Sequence, residues 1–125
     1  MEQEHLFNFQ DLQIWQKAVE FSVNVIQAID RLDAPRKHYR LIEQIEAAST
    51  SIAMNIAEGK GRQSTKEFIQ FLYISRGSCY EVVTLLMMFQ KLGWLSMQDM
   101  EYFQFQAQEI IKMLNSMIKS LKNSN

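Results

Sequence analysis

The stretch MEYFQFQAQEIIKMLNSMIKSL, residues 100–121, decides the fold class. Met100, Phe103, Ala107, Ile110, Leu114, Met117 and Leu121 alternate three- and four-residue steps without a miss, which gathers them on one face of an α-helix. Just upstream, Ser96 can cap this helix, with Asp99 in the capping-box position. Gly93 ends the helix before it, and Ser64-Thr65-Lys66-Glu67 opens that helix as a capping box, the Ser64 hydroxyl and the Glu67 carboxylate satisfying each other's orphan amides. Along it, Phe68, Leu72, Ser75, Cys79, Val82, Leu86 and Phe89 keep the same heptad rhythm.

Further toward the N-terminus the pattern repeats twice. Gly59-Lys60-Gly61 stops a second helix whose stripe is Leu41, Ile45, Ala48, Ile52 and Ile56, and the small side chains of Ala47–Ala53 let a neighbouring helix come close. Asp33-Ala34-Pro35 separates it from a first helix capped by Asp11, with Leu12, Trp15, Val19, Ile26 and Ile29 as its main stripe. The predicted helices are 11–32, 36–58, 64–92 and 96–122, after a flexible N-terminal segment, 1–10, and before a short tail, 123–125. Helices of about 22–29 residues are roughly 33–43 Å long. Joined by short loops, they make an all-α protein, an up-down-up-down four-helix bundle.

Composition agrees. One Pro and four Gly in 125 residues leave too few turn residues for most all-β folds. A lone Cys79 excludes a disulfide framework and a multi-cysteine zinc site. The start, Met1–Gln10, has no basic segment followed by an apolar one, and Val82–Phe89 falls far short of a membrane span of ~20 residues. A cytoplasmic protein with no membrane association is expected. The first and third helices are apolar on more than one face, adding Ile14, Ala18, Phe21, Val23 and Val25 to the one, and Ile69, Phe71, Tyr73, Ile74, Tyr80, Val83 and Leu85 to the other. That excess implies a second buried surface, hence a homo-oligomer; a generous core with a few exposed aromatics gives the same pattern.

Enzyme constellations are missing, so no catalytic, cofactor-binding or metal-ligating residue and no small-molecule substrate is assigned. Glu2-x-x-His5 has the spacing of one di-iron ligand pair, but a bundle site needs that motif twice plus two inward glutamates. Cys79 falls on a core seam, where it acts as a small hydrophobe without a base to activate it. Gly59-Lys60-Gly61-Arg62 lacks the spacing and context of a phosphate loop. Asn55, Glu58, Arg62, Glu67 and Glu81 read instead as structural polar anchors around the second loop and third helix, and Arg76 offers a second guanidinium fork.

The net charge of −1 hides local clusters. Arg31, Arg36, Lys37 and Arg40 crowd one helix connection, Lys60, Arg62 and Lys66 the next, and Lys112, Lys119 and Lys122 follow the last acid, Glu109. Arg31, Arg36, Lys37, Arg40, Lys60, Arg62 and Lys66 are candidate nucleic-acid contacts, because an oligomer would multiply each cluster into a ring of charge. Solvated helix ends, with Lys favoured by the macrodipole, are the simpler account.

Asn55-Ile56-Ala57-Glu58-Gly59, with Arg62 and Glu67-Phe68 after it, resembles the bacterial four-helix-bundle family of 23S rRNA-intervening-sequence proteins. That family includes the accessory variability determinants of diversity-generating retroelements. The likeness extends through Asp11-Leu12, Trp15-Gln16-Lys17-Ala18, Phe71-Leu72, Gly77-Ser78 with Glu81, and Leu92-Gly93-Trp94-Leu95. The resemblance implies an up-down bundle, a ring-shaped homopentamer and no defined active site. In the retroelement members it implies an accessory role, binding a reverse transcriptase and nucleic acid through basic surfaces. This chain departs from those members in its isoelectric point near 6.1. The expectation is a non-enzymatic, oligomeric interaction or scaffold module; the alternative is a nucleic-acid-binding accessory protein.

Overall fold

A computed structural model describes residues 5–32 and 38–124. It is all-helical: α1, Gln13–Ile29; α2, Tyr39–Lys60; α3, Thr65–Lys91; and α4, Met97–Asn123, with a short 3-10 turn, Asn8–Asp11, ahead of α1. Each helix packs on the next in sequence, and α4 returns to α1, with no diagonal contact among the described residues. The chain is therefore an up-down-up-down four-helix bundle. The expected break at Asp33-Ala34-Pro35, together with Arg36 and Lys37, lies outside the described residues, as does Glu2.

The caps on α3 and α4 form from the side chains that sequence singled out. The Glu67 amide donates to Ser64 Oγ at 3.0 Å and the Asp99 amide to Ser96 Oγ at 3.1 Å. Only half of the Ser64–Glu67 box closes. The Glu67 carboxylate accepts from the Ser64 hydroxyl at 3.4 Å and turns toward Arg62 rather than back to the Ser64 amide. Between α3 and α4, Gly93 has φ +82°, a conformation that suits glycine, and two bonds close the end of α3. The Gly93 amide donates to Gln90 O at 3.0 Å and the Trp94 amide to Phe89 O at 2.9 Å, the Schellman arrangement.

Asp11 does not cap α1. It ends the 3-10 turn, and Leu12 stands at the cap position without a side-chain bond. The turn is held by Phe9, whose ring lies 5.1 Å from that of Trp15, and by Gln16 Nε2, which donates to Gln10 O at 2.7 Å. The second helix ends within Gly59-Lys60-Gly61, as expected, but two residues later than 58: Gly59 lies inside α2, Lys60 is its last residue and Gly61 stands at the cap.

The core also corrects the choice of stripe on α1. Ile14, Ala18, Phe21, Val25 and Ala28, another run of four- and three-residue steps, are buried, with Ser22 and Ile29 beside them. Leu12, Trp15 and Val19 flank that core half-buried. Most of the apparent apolar excess of α1 is thus the core itself; Phe21 meets Phe103 edge-on at 6.3 Å, a pairing worth ~0.5–1.5 kcal/mol beyond its buried area. On α3 all seven heptad positions are buried. On α4 the seam slips after Leu114, where Ile118 goes into the core and Met117 and Leu121 are half-buried. A strict seven-residue repeat drifts ~20° per heptad around a straight helix, enough over three heptads to exchange neighbouring positions.

Candidate functional surfaces

The α2–α3 interface is the most extensive in the bundle, and small residues explain it. Gly59 packs against Phe71 and Phe68, and the fully buried Ser75 hydroxyl donates to Ile52 O of α2 at 2.9 Å. One turn along α3, Ser78 Oγ donates to Ser51 Oγ at 2.9 Å, and Asn55 Nδ2 donates to both Ser51 Oγ and Ser51 O at 2.8 Å. The buried polar side chains among the described residues are Ser22, Ser49, Ser75 and Ser78, and the last three have hydrogen-bond partners. A hydrogen-bonded serine seam of this kind fixes helix register, because a one-residue slip would strand a hydroxyl in the core.

The polar anchors separate into three groups. Asn55 belongs to the serine seam. Arg62 is clasped by Glu58 at 2.9 Å and faces Glu67 at 3.8 Å, with its guanidinium 4.9 Å from the centre of the Phe71 ring. All three charged groups are about half-exposed, so the clasp closes the α2–α3 turn at modest energy. Glu81 stands apart from both, on the exposed side of α3, accepting from Gln44 Nε2 of α2 at 3.4 Å.

The expected basic clusters fall at opposite ends of the bundle. Arg31 and Arg40 flank the first connection, and Arg31 donates to Gln27 O at 3.1 Å. Lys60, Arg62 and Lys66 surround the turn between α2 and α3; Lys60 lies 6.0 Å from the Phe68 ring centre, and the charge of Arg62 is already matched by Glu58 and Glu67.

Sequence reading missed a different cluster because its members lie far apart in the chain. Lys122 Nζ donates to Tyr73 OH at 2.6 Å, and Arg76 Nη1 donates to Asn115 Oδ1 at 2.8 Å, both bridging α3 and α4. Both cations approach the Tyr73 ring, Arg76 at 4.9 Å and Lys122 at 5.3 Å from its centre. Between the same two helices, an open groove of about 590 Å³ is lined by Tyr80, Val83 and Thr84 of α3 and by Gln104, Ala107, Gln108 and Ile111 of α4.

Of the apolar excess on α3, Leu85 is buried, Ile69, Tyr73 and Val83 pack half-buried against the core, and Ile74 and Tyr80 stay exposed. Gln70, Ile74, Gly77, Glu81, Thr84 and Met88 form an exposed three- and four-step seam opposite the core. Cys79 is buried, and desolvation pushes its thiol up to about 12, so it is a neutral packing group at physiological pH. Among the described residues no group of three His, Cys, Asp or Glu could hold a metal, and no helix is long and apolar enough to cross a membrane.

Comparison with known proteins places these features in a family. No curated protein matches the chain. Among solved structures, the bundle is similar to a protein of unknown function from the S23 ribosomal protein family of Bacteroides thetaiotaomicron VPI-5482. The two share 28% identity with a TM-score of 0.78, over 85% of this chain and 98% of that one. The model of the 23S rRNA-intervening sequence protein family matches residues 10–116, from the 3-10 turn to the last turns of α4. The chain belongs to the 23S rRNA-intervening sequence protein family.

Proposed function

We propose that this chain is a cytoplasmic, non-enzymatic subunit of a homo-oligomer, a pentamer, serving as an interaction or scaffold module. The exposed seam of α3 carries the reading. Ile74 is 50% and Met88 53% exposed, Tyr80 beside them is 53%, and Gly77 between them has open space around it. An exposed glycine inside a helix costs ~1 kcal/mol relative to alanine, and half-exposed large apolar side chains around it form a surface that a second helix can cover closely. Glu81 and Thr84, between Gly77 and Met88 on the same seam, supply polar partners within such a contact.

Light scattering coupled to size exclusion tests this directly. The expected mass is about five times 14.7 kDa, and the double variant Ile74→Glu, Met88→Glu should run at the mass of one chain with its helical circular dichroism unchanged. A wild-type protein that elutes as a monomer at micromolar concentration overturns the proposal.

A further inference from the structure

We infer that the exposed seam of α3 docks on the outer face of α4 of the next copy, antiparallel and without axial shift. Met88 then meets Phe105, Glu81 meets Lys112 and Gly77 meets Ser116. The inference rests on the oligomer proposed above and names the face that completes it.

A face that pairs with its own copy closes at two chains, whereas a ring joins two different faces of the subunit. The seam of α3 supplies one of them. On α4, Glu101, Phe105, Glu109, Lys112, Ser116 and Lys119 recur at three- and four-residue steps, and all are exposed. Phe105 is 71% exposed, so its own bundle leaves most of a large aromatic ring for another chain to cover. Outward faces of neighbouring helices in a four-helix bundle point roughly 90° apart, close to the roughly 108° that separates the two contact faces in a ring of five. The helix direction fits as well. Within the chain α3 and α4 run antiparallel, and rotation about an axis along the bundle keeps them antiparallel across the contact.

The same symmetry fixes the register. Such a rotation moves no copy along the axis, so residues at one height in a chain meet residues at that height in the next. Arg76 bonds to Asn115, and Tyr73 to Lys122, which sets the heights of α3 and α4 relative to each other. Continued along the helices, that alignment puts Gly77 level with Ser116, Glu81 with Lys112, Met88 with Phe105 and Lys91 with Glu101. All four pairs are complementary. Two large apolar side chains meet, glycine meets a small side chain where the helices must come close, and a carboxylate meets an ammonium twice, with the acid on α3 in one pair and on α4 in the other. Ile74, level with Lys119, can cover its methylene stem. Glu81, Lys91, Glu101 and Lys112 belong to none of the ion pairs among the described residues, so each is free for a partner chain. Glu109, the remaining acid of the α4 face, is held by Lys17. A slip of one turn either way sets Glu81 opposite Glu109 or Ser116 and takes Met88 off Phe105.

The test uses the full-length chain, with light scattering coupled to size exclusion and with disulfide trapping. Phe105→Glu should run at the mass of one chain with its helical circular dichroism unchanged. Glu81→Lys and Lys112→Glu should each lower the mass. Combined in one chain they should restore the wild-type mass, because every contact again pairs a lysine with a glutamate. Gly77→Cys and Ser116→Cys chains, co-expressed and oxidised with copper phenanthroline, should join to each other, with several-fold less product from either variant alone; Cys79 is buried and does not compete. A wild-type monomer overturns the oligomer and this pairing together. With a wild-type oligomer in hand, three results overturn the pairing alone: Phe105→Glu leaves the mass unchanged, the combined charge reversal assembles no better than the single ones, or Gly77→Cys chains join to one another as readily as to Ser116→Cys chains.

Discussion

Gly59 lies so close to Phe71 that a methyl group on its Cα would sit 2.7 Å from the Phe71 Cβ, and 2.9 Å from Phe68 Cδ1. The Phe71 Cβ is anchored directly to the backbone of α3, so it cannot yield without moving the helix. Gly59→Ala gains up to ~1 kcal/mol of helix propensity and loses more to overpacking, which costs ~1–3 kcal/mol. The net expectation is destabilisation in urea titration. Gly61→Ala serves as the control, because its nearest neighbour would be 3.5 Å away and its φ is −79°. That variant should be neutral or slightly stabilised, and equal stability of the two variants would contradict the close approach.

The serine seam should behave as a coupled unit. Ser75→Ala deletes one buried hydrogen bond to a carbonyl and should cost about 1 kcal/mol. Asn55→Ala and Ser78→Ala both act through Ser51, which bonds to each. Their double variant should therefore lose less than the sum of the singles, by at least ~0.5 kcal/mol in a double-mutant cycle. Strict additivity would mean that the three side chains do not form one network.

Cys79 gives a pH prediction. Its thiol is raised from 9.0 to about 12 by burial, so the folded state holds the proton more tightly than the unfolded chain. The contribution is fully present below pH 9 and is lost as pH rises from there toward about 12, as the unfolded state ionises first. At pH 8 an aromatic disulfide reagent should leave the native protein unmodified and label it at the rate of unfolding once urea is added. Rapid labelling of the native protein would place the thiol at the surface.

The Arg62 clasp should be weak and sensitive to salt. Its side chain is 42% exposed, with partners at 56% and 55%, so Arg62→Ala should cost below ~1 kcal/mol, shrinking as salt is added. Ser64→Ala, by contrast, removes an N-cap and should cost about 1 kcal/mol at any ionic strength. Thermal melts of both variants at low and high salt separate the two effects.

Gln106 offers a stabilising change. Its Oε1 is buried with no hydrogen-bond partner among the described residues, beside a small 60 Å³ cavity lined by Lys17, Glu20, Glu109 and Ile110. Gln106→Met keeps the side-chain volume and removes the unsatisfied oxygen, for an expected gain of up to ~1–2 kcal/mol. A lower melting temperature would show that the amide has a role the packing does not reveal.

What sequence determined by itself is what local chemistry encodes: four helices, the Ser64 and Ser96 caps, the glycine that ends α3, and the buried heptad of α3. Each depends on residues within one or two turns of one another, so spacing alone reveals it. Tertiary structure decided the rest. On α1 two adjacent apolar stripes compete, and only the surfaces that α2 and α4 present select Ile14, Ala18, Phe21 and Val25 over Trp15 and Val19. Gly59-Lys60-Gly61 does end α2, but the close packing of Gly59 on Phe71 and Phe68 shows only once α3 is laid against it. Glu58, Arg62 and Glu67 were legible as a cluster because they are neighbours in the chain, whereas Glu81 joined them only on paper. Arg76 and Lys122 look like unrelated surface charges in the sequence; antiparallel packing of α3 on α4 sets them on the same tyrosine ring. Pattern within a helix is a local property, but the meeting of two helix faces is not, and the groove between α3 and α4 exists only at that meeting.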